Sequence, residues 1–205
     1  MESALELARA AWPTSAWLAV SALGISFVAG MVRGFSGFGY SALVVAALAP
    51  FVFPAPVVLA VLLLEVLASA PQMRAVARDV DGKWCRSILA GNLVFVPIGV
   101  MGLLWLKPDA ARVAVSGLTL LGALGMRLTL ARPLSPSRIV HASAGSVCGL
   151  LNGFAASGGI VPALLMAASG VPPRALRSTM ITVLLWISAY ALVWAVVLSL
   201  GRAPE

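Results

Sequence analysis

Few side chains in this sequence could do chemistry, and most of them cluster around glycine. Residues 33–43 read RGFSGFGYSAL, and residues 149–162 read GLLNGFAASGGIVP. Glycine weakens a helix interior and frees the backbone to leave helical geometry. A helix that resumes after such a break presents unpaired N–H groups and a partial positive charge at its N-terminus. That arrangement suits an anion. The resumed helices are predicted to begin near Tyr40 and Ile160. Gly34, Gly37 and Gly39 would bring the first backbone close to a ligand, with Ser36 and Ser41 as hydroxyl donors. Gly158 and Gly159 would do the same in the second stretch, with Ser157 and Asn152 beside them. Two such helix ends meeting would cage a small inorganic or organic oxyanion without a buried lysine or arginine.

Other readings of the same residues compete. Gly30-x3-Gly34 and Gly149-x3-Gly153 fit the small-x3-small pattern of closely packed membrane helices, and Gly30 and Gly149 are read as packing. Asn92 and Asn152 can hydrogen-bond between helices. The glycine spacing is not a nucleotide fingerprint, since no strand precedes it. Glu65 is the only acid well inside an apolar run. A charge there costs about 2.5–3.5 kcal/mol on insertion scales, so it should face a partner or a cavity. It is read as a proton-coupling carboxylate, as a structural pair with Arg33 or Arg127, or as a side chain reaching toward an interface. Arg33 itself is expected to anchor its helix at the membrane surface, and His141 to lie at an interface. With one histidine, seven acids mostly in loops and no paired carboxylates, no catalytic constellation is formed. Cys85 and Cys148 have neither metal-ligand nor disulfide spacing and read as small apolar fillers, so no metal or cofactor is implied.

The elements that must position these residues follow from composition. The 205-residue chain is 61% hydrophobic and 10% charged, where a soluble domain carries about 25% charged residues. Uncharged runs cover residues 10–32, 34–64, 87–106, 139–173 and 178–201, and about 20 apolar residues span a bilayer as a helix. The fold class is therefore all-α: a polytopic helical protein of the cell membrane, with the lipid bilayer as its solvent. The net charge of +7 does not mark nucleic-acid binding, because the basic residues fall in gaps between apolar runs and no recognition motif accompanies them. The start, MESALELARA, places two Glu before the first Arg, so the first segment is read as a retained helix and not a signal peptide. Spans are predicted over 12–32, 57–73, 87–106, 112–130 and 179–200, with the short apolar pieces 40–49 and 160–168 after the glycine stretches. Prolines 50, 54 and 56 predict a turn, and Trp12 and Trp17 suit an interfacial belt.

The chain also resembles itself. An offset of 119 residues aligns Gly30 with Gly149, Gly34 with Gly153, Phe35 with Phe154, Gly39 with Gly158, Pro54 with Pro173 and Ser69 with Ser188. This predicts one membrane domain over 1–205 containing a first repeat at 12–131 and a second at 139–200. Each repeat has about four helices and opens on a glycine-broken one. Gly-interrupted segments at matching positions of two halves are the best sequence pointer to a transporter's binding site. Arg74, Arg78, Lys83 and Arg86, and Arg127, Arg132 and Arg138, fall in two loops that the positive-inside rule makes cytoplasmic. If 40–49 and 160–168 complete crossings, Arg33, Arg174 and Arg177 join them and the repeats run in opposite directions. If they re-enter, the repeats are parallel.

The stretches GMVRGFSGFGYSALVVAALAPFVFPAPVV, VDGKW and GLLNGFAASGGIVPALLMAASGVPPRALRSTM resemble the sulfite exporter TauE/SafE family, also called the 4-toluene sulfonate uptake permease family. The likeness runs from about residue 17 to 199. It implies export or uptake of small sulfur-containing anions such as sulfite, sulfonates or thiosulfate. Two departures accompany it. Gly37-Phe38-Gly39-Tyr40 stands where the family more often has three glycines in a row. By the 119-residue offset, the helices at 87–106 and 112–130 would recur beyond Glu205, so the second repeat is expected to be incomplete. A homo-oligomer that completes it, or a non-transporting membrane component, is the alternative to a working carrier.

Overall fold

The computed structural model describes residues 16–49, 51–52, 54–107, 109–111, 113–117, 121 and 137–200. Among them every regular element is a helix. Helix α1 spans Ala16–Ser36, α2 Tyr40–Leu48 and α3 Pro54–Ser69. A 3-10 turn at Ala70–Gln72, the short α4 at Met73–Val76 and a second 3-10 turn at Ala77–Asp79 continue the path of α3. Helix α5 spans Gly82–Trp105, α6 Arg138–Ala155, α7 Ile160–Ala168 and α8 Pro173–Leu200. Four stretches of the described residues are long and apolar enough to cross a membrane: Trp17–Ser36, Pro54–Asp79, Gly82–Trp105 and Pro173–Ser199. The chain is a multi-pass helical membrane protein.

Several expected boundaries shift for local reasons. Pro54 and Pro173 open helices instead of sitting in turns, because a first-turn proline lacks only an N–H that has no intrahelical partner. Pro71 lies in the 3-10 turn and does not end the span, and Pro97 is carried inside α5 without breaking it. Asp81 starts α5 five residues early, since its carboxylate accepts from Lys83 N at 2.9 Å and Trp84 N at 3.2 Å. Ser137 caps α6 through Val140 N at 3.3 Å. The predicted belt residue Trp12, the loop at 131–138 apart from its last two positions, and most of the 112–130 span with Arg127 lie outside the described residues.

Glycine sets the closest helix contact. A Cβ built on Gly91 would stand 2.7 Å from Gly145 Cα, and one on Gly153 would stand 2.3 Å from Val96 O and 3.1 Å from Gly99 Cα. Residues 91 and 99 of α5 thus face 145 and 153 of α6, so the two helices run parallel with their backbones touching. Helix α8 runs the same way: Thr179 Oγ1 accepts from Asp81 N at 2.9 Å, and Tyr190 donates to Leu93 O at 3.0 Å. Helices α1 and α3 run opposite to these three. Their C-terminal ends meet the start of α8, where Arg177 Nη2 donates to Gly34 O at 3.2 Å and Arg174 pairs with Asp79 at 2.9 Å. One end of the bundle therefore gathers Arg33, Arg74, Arg78, Lys83, Arg86, Arg174 and Arg177.

Helix α2 folds back along α1. A cavity of about 440 Å³ is lined by Leu18 and Ala22 of α1, Leu48 of α2, Val52 after it and Pro56 of α3. By residue 52 the chain has returned to the level where α1 begins. Nine residues of helix rise only about 14 Å, roughly half the thickness of a bilayer's hydrocarbon core. Helix α2 thus runs antiparallel to α1, and α1 and α6 point in opposite directions. Two apolar cores hold the bundle. One joins Val44, Val45, Val58 and Leu62 to Phe154, Ala155 and Ala191. The other joins Trp84, Ile88 and Cys148 to Met166, Met180 and Leu184, with Phe38 against it. Cys85 and Cys148 are both buried and free, as fillers.

Candidate functional site

Both glycine stretches break their helices. At the first, α1 stops at Ser36 and the chain turns through Gly37 and Gly39, with φ of +83° and +92°. Side chains rarely adopt this left-handed geometry. Gly37 also has no room for one, since a Cβ would stand 2.8 Å from Arg177 Cγ and 2.9 Å from Arg177 O. The start of α8 thus plugs the first break. The Ser36 hydroxyl is engaged in the turn itself, accepting from Phe38 N at 3.3 Å and lying 2.8 Å from Val32 O and 2.7 Å from Phe38 O. Ser41 is buried in the first turn of α2.

The second break is built differently. Helix α6 ends at Ala155, and the left-handed position is taken by Ala156, at φ +49°. Ser157 donates to Ala155 O at 3.0 Å. A Cβ on Gly158 would stand 2.5 Å from Asn152 Cβ and 2.6 Å from Cys148 O, so only glycine fits. A Cβ on Gly159 would meet Leu184 of α8 at 3.4 Å. Every residue from 151 to 159 is buried. Asn152 is 1% exposed, yet neither amide atom has a hydrogen-bond partner among the described residues. Ser188 Oγ, one turn beyond Leu184 on α8, is buried and unpartnered too. A buried polar group left without a partner costs about 1–3 kcal/mol.

Glu65 has found its partner in Arg33. The carboxylate and the Arg33 Nη1 form a buried ion pair, and Nη2 donates to Ser69 Oγ at 2.5 Å. Arg33 is 5% exposed and Glu65 1%. Arg33 lies at the basic end as expected, but it turns inward instead of anchoring the surface. An unpaired carboxylate at that depth would be far costlier than the surface contact given up. Beside the pair lies a cavity of about 290 Å³ lined by Gly30, Arg33, Gly34, Tyr40 and Gln72. Cβ atoms built on Gly30 and Gly34 would meet nothing within 4 Å, whereas one on Gly149 would meet Asn92 Cα at 3.0 Å. The packing role predicted for both Gly30 and Gly149 thus fits Gly149 and not Gly30.

The expected site residues fall into two groups. Gly34, Ser36, Gly37, Gly39 and Ser41 lie at the first break, where Arg177 reaches Gly34 and Gly37, and Asn152, Ser157, Gly158 and Gly159 lie at the second, where Gly159 meets Leu184. Arg177 and Leu184 are seven residues apart on one helix, about 10 Å along its axis. Sequence reasoning passed over Ser188 and Arg177. The signal for Ser188 was present, because the 119-residue offset pairs Ser188 with Ser69, Asn152 with Arg33 and Leu184 with Glu65. The trio linked by an ion pair and a hydrogen bond in the first half has an uncharged counterpart in the second, whose two polar members are unpartnered among the described residues.

Comparison with known proteins agrees with this architecture. A family model described as Sulfite exporter TauE/SafE matches residues 22–203. No curated protein and no solved structure matches the chain.

Proposed function

The chain belongs to the sulfite exporter TauE/SafE family, and on that premise we propose that it carries a small sulfur-containing oxyanion, such as sulfite, a short sulfonate or thiosulfate, across the cell membrane. The anion is received first at the second break. Asn152 Nδ2 and Ser188 Oγ supply neutral donors, and the N-terminus of α7 after Gly158 and Gly159 supplies backbone N–H groups and a partial positive charge. Neutral donors suit a carried ion, because they bind without the deep well that a buried guanidinium would create. Gly34, Ser36, Gly37, Gly39 and Ser41 form the counterpart station at the first break. The solute crosses chemically unchanged, so no residue is assigned a catalytic role.

Glu65 is the coupling group in this reading. With the carboxylate ionised, Arg33 is neutralised and holds no solute. A proton on Glu65 would break the pair and leave the Arg33 charge to draw an anion into the adjoining cavity. The same reading takes 12–131 and 139–200 as two copies of one unit, inserted in opposite directions within one membrane domain.

The observation that carries the proposal is the buried, wholly unpartnered amide of Asn152 beneath a helix break. Titration of purified protein with sulfite and methanesulfonate tests it, with Asn152→Leu and Ser188→Ala beside the wild type. Saturable binding is expected in the wild type and at least tenfold weaker binding in Asn152→Leu, whose folding should be intact. Unchanged affinity in that variant would remove the site.

A further inference from the structure

The basic end of the bundle contains another cavity, which shares no lining residue with either break. Its volume is about 590 Å³ and it lies between the first turns of α5 and α6. Gly91 and Gly145 bring the two backbones together at its inner end, so the side chains nearer the helix starts stand apart and leave a groove. Lys83 and Arg86 line it together with Ser87, His141 and Ser146. The imidazole is held in place: Ser87 Oγ is 3.1 Å from His141 Nδ1, and the Trp84 ring centroid is 4.1 Å from the His141 ring.

No acidic side chain lines this groove. The Asp81 carboxylate is engaged in capping α5. Asp79 is paired with Arg174. Lys83 and Arg86 therefore face the cavity without an acidic partner among the described residues. Helices α5 and α6 run parallel, so both N-termini add partial positive charge at the same end. Below the cations the lining becomes Ala90, Gly91 and Ala142, small and apolar.

We propose that this cavity binds the phosphodiester headgroup of an anionic phospholipid. Lys83 and Arg86 stand where an apolar span leaves the hydrocarbon, the depth at which headgroups lie. Basic pockets between helices on the positive side of a membrane protein have the charge and position to take such headgroups. Ser146 can donate to a non-bridging oxygen, and the apolar floor accommodates the start of an acyl chain. The assignment is independent of the transport reading.

The test uses the full chain in phosphatidylcholine nanodiscs with and without phosphatidylglycerol. Retained lipid is counted by native mass spectrometry and the unfolding midpoint is measured in parallel. The wild type is expected to retain phosphatidylglycerol selectively and to unfold at higher temperature with it. Lys83→Gln with Arg86→Gln should weaken retention about thirtyfold, from two headgroup-level cations, and abolish the shift. Arg74→Gln with Arg78→Gln, two exposed cations at the same end but outside the cavity, should keep both. Equal stabilisation by the two lipids, or equal loss in both double variants, would overturn the proposal. So would a shift reproduced by inorganic phosphate or methanesulfonate in phosphatidylcholine discs, which would give the cavity to a soluble anion.

Discussion

The halves of this molecule solve one problem in opposite ways. Each opens on a helix that breaks at glycine, turns through a left-handed residue and resumes as a nine-residue helix. In the first half the polar positions are Arg33, Glu65 and Ser69: Arg33 pairs with Glu65 and donates to Ser69, while Arg33 Nε and Glu65 Oε1 have no partner among the described residues. In the second half the positions at the same offset are Asn152, Leu184 and Ser188, and the two polar ones satisfy nothing. At the offset of the Glu65 carboxylate the second half places the apolar Leu184. A buried ion pair resists opening, because either charge left alone pays a desolvation penalty. Neutral amide and hydroxyl groups release a ligand more readily.

Packing differs in the same direction, and it offers the largest effect. Gly34 and Gly153 are equivalent by offset, but only Gly153 is clamped against a neighbouring backbone, with 2.3 Å between a built Cβ and Val96 O. Gly153→Leu should force α5 from α6 and cost at least about 4 kcal/mol, enough to lose a monodisperse protein. Gly34→Leu should change stability by no more than about 0.5 kcal/mol, because its Cβ would meet open space. Thermal melting in detergent decides the matter. Similar losses at both sites would mean that α1 is covered as tightly as α6, and the packing contrast would disappear.

The polar trios give the next effect. Arg33→Ala leaves the Glu65 carboxylate buried and alone, which should destabilise by about 3–5 kcal/mol. Replacing both residues by leucine should recover most of that loss, since a buried pair is often no more stabilising than apolar groups of similar size. Asn152→Leu should be neutral or slightly stabilising, because it removes two polar atoms that have no partner. Chemical denaturation of the four proteins provides the check. A loss from Asn152→Leu as large as that from Arg33→Ala would show that the amide is already satisfied in the folded chain.

Much of this contrast was legible in the sequence, and what was not has a physical reason. The broken helices were readable at Gly37–Gly39 and Gly158–Gly159, since glycine density in an apolar run has few other uses. The short helix Ile160–Ala168 matches its apolar run. Glu65 was readable as a residue in need of a partner, with Arg33 among those weighed. Pairing turned Arg33 inward, which a rule based on loop charge does not foresee. The contact of Arg177 with Gly34 and Gly37 spans 143 and 140 residues, and nothing local to either segment announces it. The direction of α2 was open because nine residues are too few for a full span.

The smallest expected effect concerns the left-handed turn residue itself, Gly37 in one half and Ala156 in the other. Gly37→Ala would place a methyl at φ +83° and 2.8 Å from Arg177 Cγ, so strain and overlap act together and should cost about 2 kcal/mol or more. Ala156→Gly works against itself. It relieves left-handed strain of about 1–2 kcal/mol. It also gives up about 0.8 kcal/mol of methyl burial at a site that is 0% exposed, and it adds about 0.5–1 kcal/mol of backbone entropy cost. The net change should lie within about 1 kcal/mol of zero. Melting curves that show Ala156→Gly destabilising by as much as Gly37→Ala would mean that the Ala156 methyl packs more tightly than its strain suggests. The second break would then be fixed by side-chain packing, whereas the first is fixed by glycine alone.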